Sequence, residues 1–555
     1  MPADLVVLGS VIWVGDGSTA DALAVRDGRV VALGAEAREL RGPRTRVLDR
    51  AGALVVPGFQ DAHVHPPQAG RNQANVDLRE LAGRTEYLDC IAGYVRDHPD
   101  APWIVGGGWS MEHFPGGSPH RADLDAVTDG RPAFLYNRDV HGAWANTAAL
   151  DLAGIDARTP DPADGRYERE PDGTPTGMLH EGAAYTFEAD WVPAPTRADW
   201  ERAILIAQQQ LHAFGITGWQ DAWVTPATLD AYRVLAGDGR LTARVVGALW
   251  WDRHRGLDQL DEFCAQRERG TGSFHPTTVK IMVDGIVENR TAGMLEPYCD
   301  GCGGHTVDRG LMYVDHDLLL AAVTELDRLG FQVHMHAIGD RAVRSALDAV
   351  AAARLANGAV TRSGRKLPSA TRSGRKLPSA DNRHHLAHVQ IVQPSDVARF
   401  AELDVVANCQ TYWAQHEPQM DEHTIPWIGP ERAELQYPFA SFERCGVRLA
   451  MGSDWPVTTP DPLRQMEVAV RRIDPDARDN APFLPDERLS VPTALTAFTS
   501  GSAYVNHDPD GGLLTVGSRA DFAVLDADLF ELDGRLADAG VQCTVASGQV
   551  VHGDG

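Results

Sequence analysis

Apolar and polar positions along this chain fall into blocks short enough for strands, and the blocks change character twice. In the first 56 residues the apolar runs are brief and separated by turns, at 5–8, 11–14, 23–25, 30–33 and 47–48. Asp27-Gly28, between two of them, signals a type I′ hairpin, whose two central positions both need positive φ. The far end reads alike, with runs at 513–514, 522–525, 541–545 and 550–551 and a turn at Ser547-Gly548. Each segment is small for a core of its own, so the two are predicted to pack as one composite β-sandwich, residues 1–53 and 506–555.

Between the ends, eight apolar runs read as strands: 54–59, 216–219, 245–249, 279–282, 331–336, 385–389, 405–408 and 449–453. Helical periodicity separates several of them, as at 200–214 before Gly215, 317–329 before Gly330, and 342–355. Repeated β-then-α units predict an α/β fold, a TIM-like (β/α)8 barrel with its first strand in 54–65 and the rest in 196–505. An open α/β sheet is the alternative. Residues 66–195 are too many for one barrel connection, contain Trp103, Trp109, Trp144 and Trp191, and read as an inserted subdomain over the barrel mouth.

A barrel gathers its chemistry at the carboxyl ends of its strands. The first strand leads into His63-Val64-His65, whose side chains at i and i+2 leave the same face of an extended backbone and can close on one ion. An isolated H-x-H is equally a pair of polar loop histidines. The fourth strand carries Lys280, the fifth His334 and His336, the sixth His384, His385 and His388, and the eighth ends at Asp454. Singly, each has an ordinary explanation: a buried lysine paired with an acid, packed histidines, a helix cap. Their common placement at strand ends instead points to a divalent metal site, and imidazoles with one carboxylate suit zinc better than calcium or magnesium.

Composition narrows the partners. The 555 residues have a formal charge of -26, which opposes binding to nucleic acid or anionic lipid, so a small-molecule substrate is expected. Residues 1–9 lack a cationic segment leading into a long apolar one, and no apolar run approaches a membrane span; a cytoplasmic protein is expected, with a homodimer left open. Seven cysteines are a sparse, odd set, and Cys299-x-x-Cys302 lacks the second pair of a structural zinc site, so it reads as a loop with incidental thiols. The ten residues 361–370 recur identically at 371–380, one tandem copy where a solenoid needs three or more, and are read as a surface insertion.

The order H-x-H, Lys, His, His, Asp between two β ends resembles the amidohydrolase superfamily, and within it the amidohydrolase-3 (YtcJ-like) branch that includes N-substituted formamide deformylases. Similar stretches are Gly106-Gly107-Gly108-Trp109, His141-Gly142-Ala143-Trp144-Ala145-Asn146, Asp284-Gly285 with Arg290-Thr291-Ala292, His336-Ala337-Ile338-Gly339-Asp340-Arg341-Ala342, Gly452-Ser453-Asp454-Trp455-Pro456-Val457 and Gly517-Ser518-Arg519-Ala520-Asp521-Phe522. The resemblance implies one or two ions held by His63, His65, Lys280, His336, His388 and Asp454. Lys280 would ligate as a carboxylated lysine, since a plain ammonium offers no lone pair. It further implies hydrolysis of the C–N bond of an amide, formamide or related N-acyl compound, with Asp454 moving the proton. His141 and His334 are expected to orient or polarise the substrate, Trp109 and Trp144 to wall it, and Arg290 to contact it. The chain departs from the branch at Ala387, where a Glu is common, and at Ile286-Val287-Glu288-Asn289. An esterase, lactonase or phosphoester hydrolase on the same site, or a non-catalytic regulatory protein that keeps the barrel, are the alternatives.

Overall fold

A computed structural model describes residues 1–301, 304–358 and 381–554. The tandem repeat and Cys302 lie outside the described residues. Eight parallel strands follow one another in chain order: β1 (Phe59–Val64), β2 (Ile216–Val224), β3 (Arg244–Trp250), β4 (Phe274–Met282), β5 (Gln332–Ala337), β6 (His385–His388), β7 (Val406–Cys409) and β8 (Leu449–Met451). The last returns to the first, where the Asp454 amide donates to the His63 carbonyl at 2.7 Å. This is the nearly closed (β/α)8 barrel that the alternation predicts. Helices cover its outside, and two of the three predicted ones start at a side-chain cap, while the third, Asp340–Asn357, starts after Gly339 without one. Thr196 and Asp199 form a capping box for Arg197–Ala213, and Asp315 accepts from the amides of Asp317 and Leu318 at the head of His316–Arg328.

The first apolar run holds two strands, not one. Leu54–Pro57 pairs with Val11 and Ile12 and, antiparallel, with Phe522–Leu525, so it belongs to the terminal sheet. The barrel begins at Phe59, after Pro57-Gly58 has redirected the chain. Gly58 is required by space: a Cβ there would lie 2.3 Å from Thr217 Oγ1. The two chain ends are thus one hydrogen-bonded sheet of eight strands, with strands from both ends meeting at Leu54–Pro57. The insertion builds its own sheet of six strands, from Val76–Asp77 to Pro175–Glu181 and Gly165–Arg169. No helix among the described residues is long and apolar enough to cross a membrane.

Candidate metal centre

β1 delivers His63 and runs into His65, and Asp454 follows β8. Asp454 Oδ1 lies 3.1 Å from His63 Nε2 and 3.0 Å from His65 Nε2, and one ligand atom from each residue falls within 4.8 Å of the others. All three side chains are buried. His388 Nδ1 is 3.9 Å from Asp454 Oδ2, and the His388 ring sits 4.7 Å from that of His63 and 4.4 Å from that of His336. The structure thus brings His63, His65, His336, His388 and Asp454 together. Lys280 is buried on β4, with its backbone opposite His334 on β5.

The donor set fits a divalent ion. Nδ1 of His65 and Nδ1 of His388 are buried without a hydrogen-bond partner among the described residues, a cost that coordination relieves where such a nitrogen is itself the ligating atom. Burial first, then the charge of Lys280, holds His63 well below its ordinary pKa, and burial does the same for His336 and His388. Neutral imidazoles are the form that binds metal. Burial opposes the Asp454 carboxylate, but the His65 hydrogen bond, with the charge of Lys280 adding to it, outweighs burial and lowers its pKa. Burial also pushes the Lys280 ammonium down to about 7, against the pull of Asp454.

Asp454 (φ 57) and His388 (φ 75) both occupy the left-handed region, rare for non-glycine residues and concentrated where the surrounding fold dictates geometry. Glu181 also has a positive φ, 53, but its ψ of -123 places it outside the left-handed well. Glu181 was not anticipated from sequence. Its Oε2 lies 2.9 Å from His141 Nδ1 and its Oε1 accepts from Thr291 Oγ1 at 2.8 Å. Burial opposes charge on both members of this pair; their mutual attraction prevails, raising His141 to about 9 and lowering Glu181 to about 2. The His141 ring stands 5.5 Å from that of His336, so its cation faces the cluster. The departing segment 286–289 serves this pair, since Asn289 Nδ2 donates to the His141 carbonyl at 3.2 Å.

Four expected substrate contacts are placed elsewhere. His334 is fully buried behind the cluster, bonded through Nε2 to His63 Nδ1 and through Nδ1 to Gln220, so it holds a neighbouring imidazole and does not face a substrate. Trp109 and Trp144 form the core of the insertion with Phe114, each indole N–H spent on a backbone carbonyl, of Leu135 and His120 respectively. Arg290 is exposed, its guanidinium over Trp427 at 5.1 Å. The indoles packed against the cluster are instead Trp413, stacked on His388 at 5.1 Å, and Trp223, edge-on to His65 at 6.3 Å. Trp413 also borders a cavity of about 560 Å³, with Tyr412, Tyr437, Ile286, Glu288 and Arg138 among its lining.

With this geometry in place, comparisons identify the lineage. Residues 46–552 match the model of the amidohydrolase family. The chain is 30% identical to an N-substituted formamide deformylase of Arthrobacter pascens, over 95% of this chain and 94% of that one. It is 29% identical to the Arabidopsis thaliana protein LONG AFTER FAR-RED 3, over 99% and 92%. Among solved structures it resembles an uncharacterized metal-dependent hydrolase from Pyrococcus furiosus, with a TM-score of 0.69 at 25% identity, covering 94% of this chain and 99% of that one. A second such hydrolase, from Pyrococcus horikoshii, superposes with a TM-score of 0.73 at 23% identity, covering 96% and 99%. The chain belongs to the amidohydrolase family and is a metal-dependent hydrolase of (β/α)8 barrel fold.

Proposed function

We propose that this protein hydrolyses the C–N bond of a small amide, N-substituted formamide or related N-acyl compound, using one or two divalent ions, zinc before others. The observation that carries the reading is the meeting of Asp454 with His63 and His65 at 3.0–3.1 Å, flanked by His336, His388 and Lys280. A full-length likeness to a formamide deformylase supports the choice of bond. A divalent ion held by these residues acidifies water and polarises a carbonyl.

The chain's own groups supply the rest. Asp454, ionised and buried, accepts the proton of the attacking water at a carboxylate oxygen and returns it to the leaving nitrogen, which departs as a neutral amine. His141, held by Glu181, presents a donor to the carbonyl oxygen as negative charge develops there. Trp413 and Trp223 exclude water from the two sides of the cluster. Lys280, its ammonium destabilised by burial, has access to the neutral amine whose nitrogen attacks carbon dioxide, losing a proton and becoming an anionic carbamate ligand.

The test is a matched panel of amides, N-substituted formamides, esters and phosphoesters given to zinc-loaded protein, with amine, alcohol and phosphate release measured separately. Amine release that stops on chelation and returns with zinc is expected. Turnover of esters or phosphoesters with no amine release from any amide sinks the C–N assignment.

A further inference from the structure

A chain of buried side chains behind the cluster carries a hydrogen-bond polarity that ends on His63. Gln332 Nε2 donates to two backbone carbonyls, of Arg383 at 2.7 Å and Val505 at 2.9 Å. A carbonyl only accepts, so the amide of Gln332 has one orientation, with Oε1 accepting from Thr278 Oγ1 at 2.7 Å and from Gln220 Nε2 at 3.1 Å. Gln220 Oε1 is then turned towards two imidazoles, 2.8 Å from His334 Nδ1 and 3.0 Å from His385 Nε2.

A second chain reaches the same point from the other side. Gln410 Oε1 accepts the His388 amide at 2.7 Å, so its Nε2 donates to Asn408 Oδ1 at 3.1 Å. Asn408 Nδ2 therefore donates, to the Ala62 carbonyl at 2.9 Å and to His385 Nδ1 at 3.2 Å. His385 accepts on Nδ1 and must carry its proton on Nε2, pointing at Gln220 Oε1. Both chains fix the Gln220 carbonyl oxygen as the acceptor.

We infer that Gln220 is a positioning residue that locks the tautomer of His63: it draws the proton of His334 onto Nδ1, leaving His334 Nε2 to accept from His63 Nδ1 and His63 Nε2 bare. The last contact is 2.8 Å, and every ring involved is buried, which favours the neutral forms the relay requires. The bare Nε2 is the atom that faces Asp454 at 3.1 Å. Two lone pairs at that distance repel, and a cation between them removes the conflict, so the relay prepares His63 to ligate. The inference rests on the reading of His63 as a metal ligand. It gives β2 a function: its Gln220 sets which nitrogen the β1 histidine offers, through a residue on β5.

The experiment compares zinc affinity, by competition with a chromophoric chelator, in wild type, Gln220→Leu, Gln220→Glu and His63→Ala. Loss of an outer partner of a ligating histidine weakens metal binding by about 10–100-fold, and Gln220→Leu is expected in that range. Gln220→Glu keeps the oxygen acceptor and should bind zinc more tightly than Gln220→Leu. A role in packing alone predicts the reverse order, because a buried carboxylate is tolerated worse than a leucine; that order, or wild-type affinity in Gln220→Leu, overturns the inference. Zinc affinity unchanged in His63→Ala would instead show the ligand reading wrong. The tautomer is read independently from 15N-histidine spectra of metal-free protein: His63 protonated on Nδ1 is expected, and His63 protonated on Nε2 refutes the relay whatever the metal result.

Discussion

Replacing Asp454 with asparagine separates shape from basicity at the reacting centre. The backbone there is left-handed, with φ 57, a region asparagine tolerates as well as aspartate, so the substitution brings no conformational penalty. The Asp454 amide still donates to the His63 carbonyl at 2.7 Å, and the amide side chain fills the same buried volume between the two Nε2 atoms. What is lost is the acceptor for the water's proton. General-base catalysis contributes about 10²–10⁴-fold, so the chemical step should slow by that factor, about 3–5 kcal/mol of transition-state stabilisation. The assay is single-turnover amine release at saturating substrate, with zinc content of the same sample measured by elemental analysis. Zinc should remain on the histidines at one equivalent or slightly less, so that the rate loss is not a metal loss. Asp454→Asn with full zinc and near wild-type turnover would show that another group moves the proton, and His141 would be the first to test.

Three further outcomes follow from the geometry. Gly452→Ala puts a Cβ 2.5 Å from the His63 amide nitrogen and 2.8 Å from its Cβ, so it should cost about 1–3 kcal/mol in denaturant unfolding and weaken zinc binding together; unchanged values of both would refute the closeness of β8 to β1. Trp109→Ala should cost about 3–5 kcal/mol as a core cavity in the insertion, and KM should hold wherever the variant stays folded; a raised KM with full stability would return it to the substrate wall. Burial opposes the Asp327 carboxylate, but hydrogen bonds from His384, Asn357 and Asn382 prevail and lower it to about 2. Its folded value lies below its unfolded one, so it adds about 2 kcal/mol of stability above pH ~4 that fades as pH falls towards ~2. The stability gap between wild type and Asp327→Asn should narrow over that window, and a gap constant from pH 7 to pH 3 would exclude this contribution.

How much of this could be read in the sequence depended on how local each feature was. His63 and His65 are two residues apart on one strand end, and Asp454 ends another, so strand periodicity and the barrel rule together point to a common site. The eight strands were visible because β-branched and aliphatic runs alternate with amphipathic helices. The split at Pro57-Gly58 was not, because residues 54–59 are apolar throughout and a buried strand in one sheet has the same composition as a buried strand in the next.

The misplaced residues share another cause. Trp109 and Trp144 stand beside glycines and polar groups in stretches typical of the family, which suggests a site, yet nothing local distinguishes an indole that lines a substrate from one that fills an insertion's core with its N–H on a carbonyl. Glu181 and Gln220 were missed for the converse reason: their partners, His141 and His334, are 40 and 114 residues away, beyond any spacing that periodicity resolves. A weak signal did exist. Gln220-Asp221 interrupts an otherwise apolar strand whose neighbours Trp219 and Ala222 are fully buried, and a polar pair there must be satisfied by something inside the barrel. For Gln220 that something includes two imidazoles, those of His334 and His385, so a strand without a ligand of its own reaches the histidines of its neighbours.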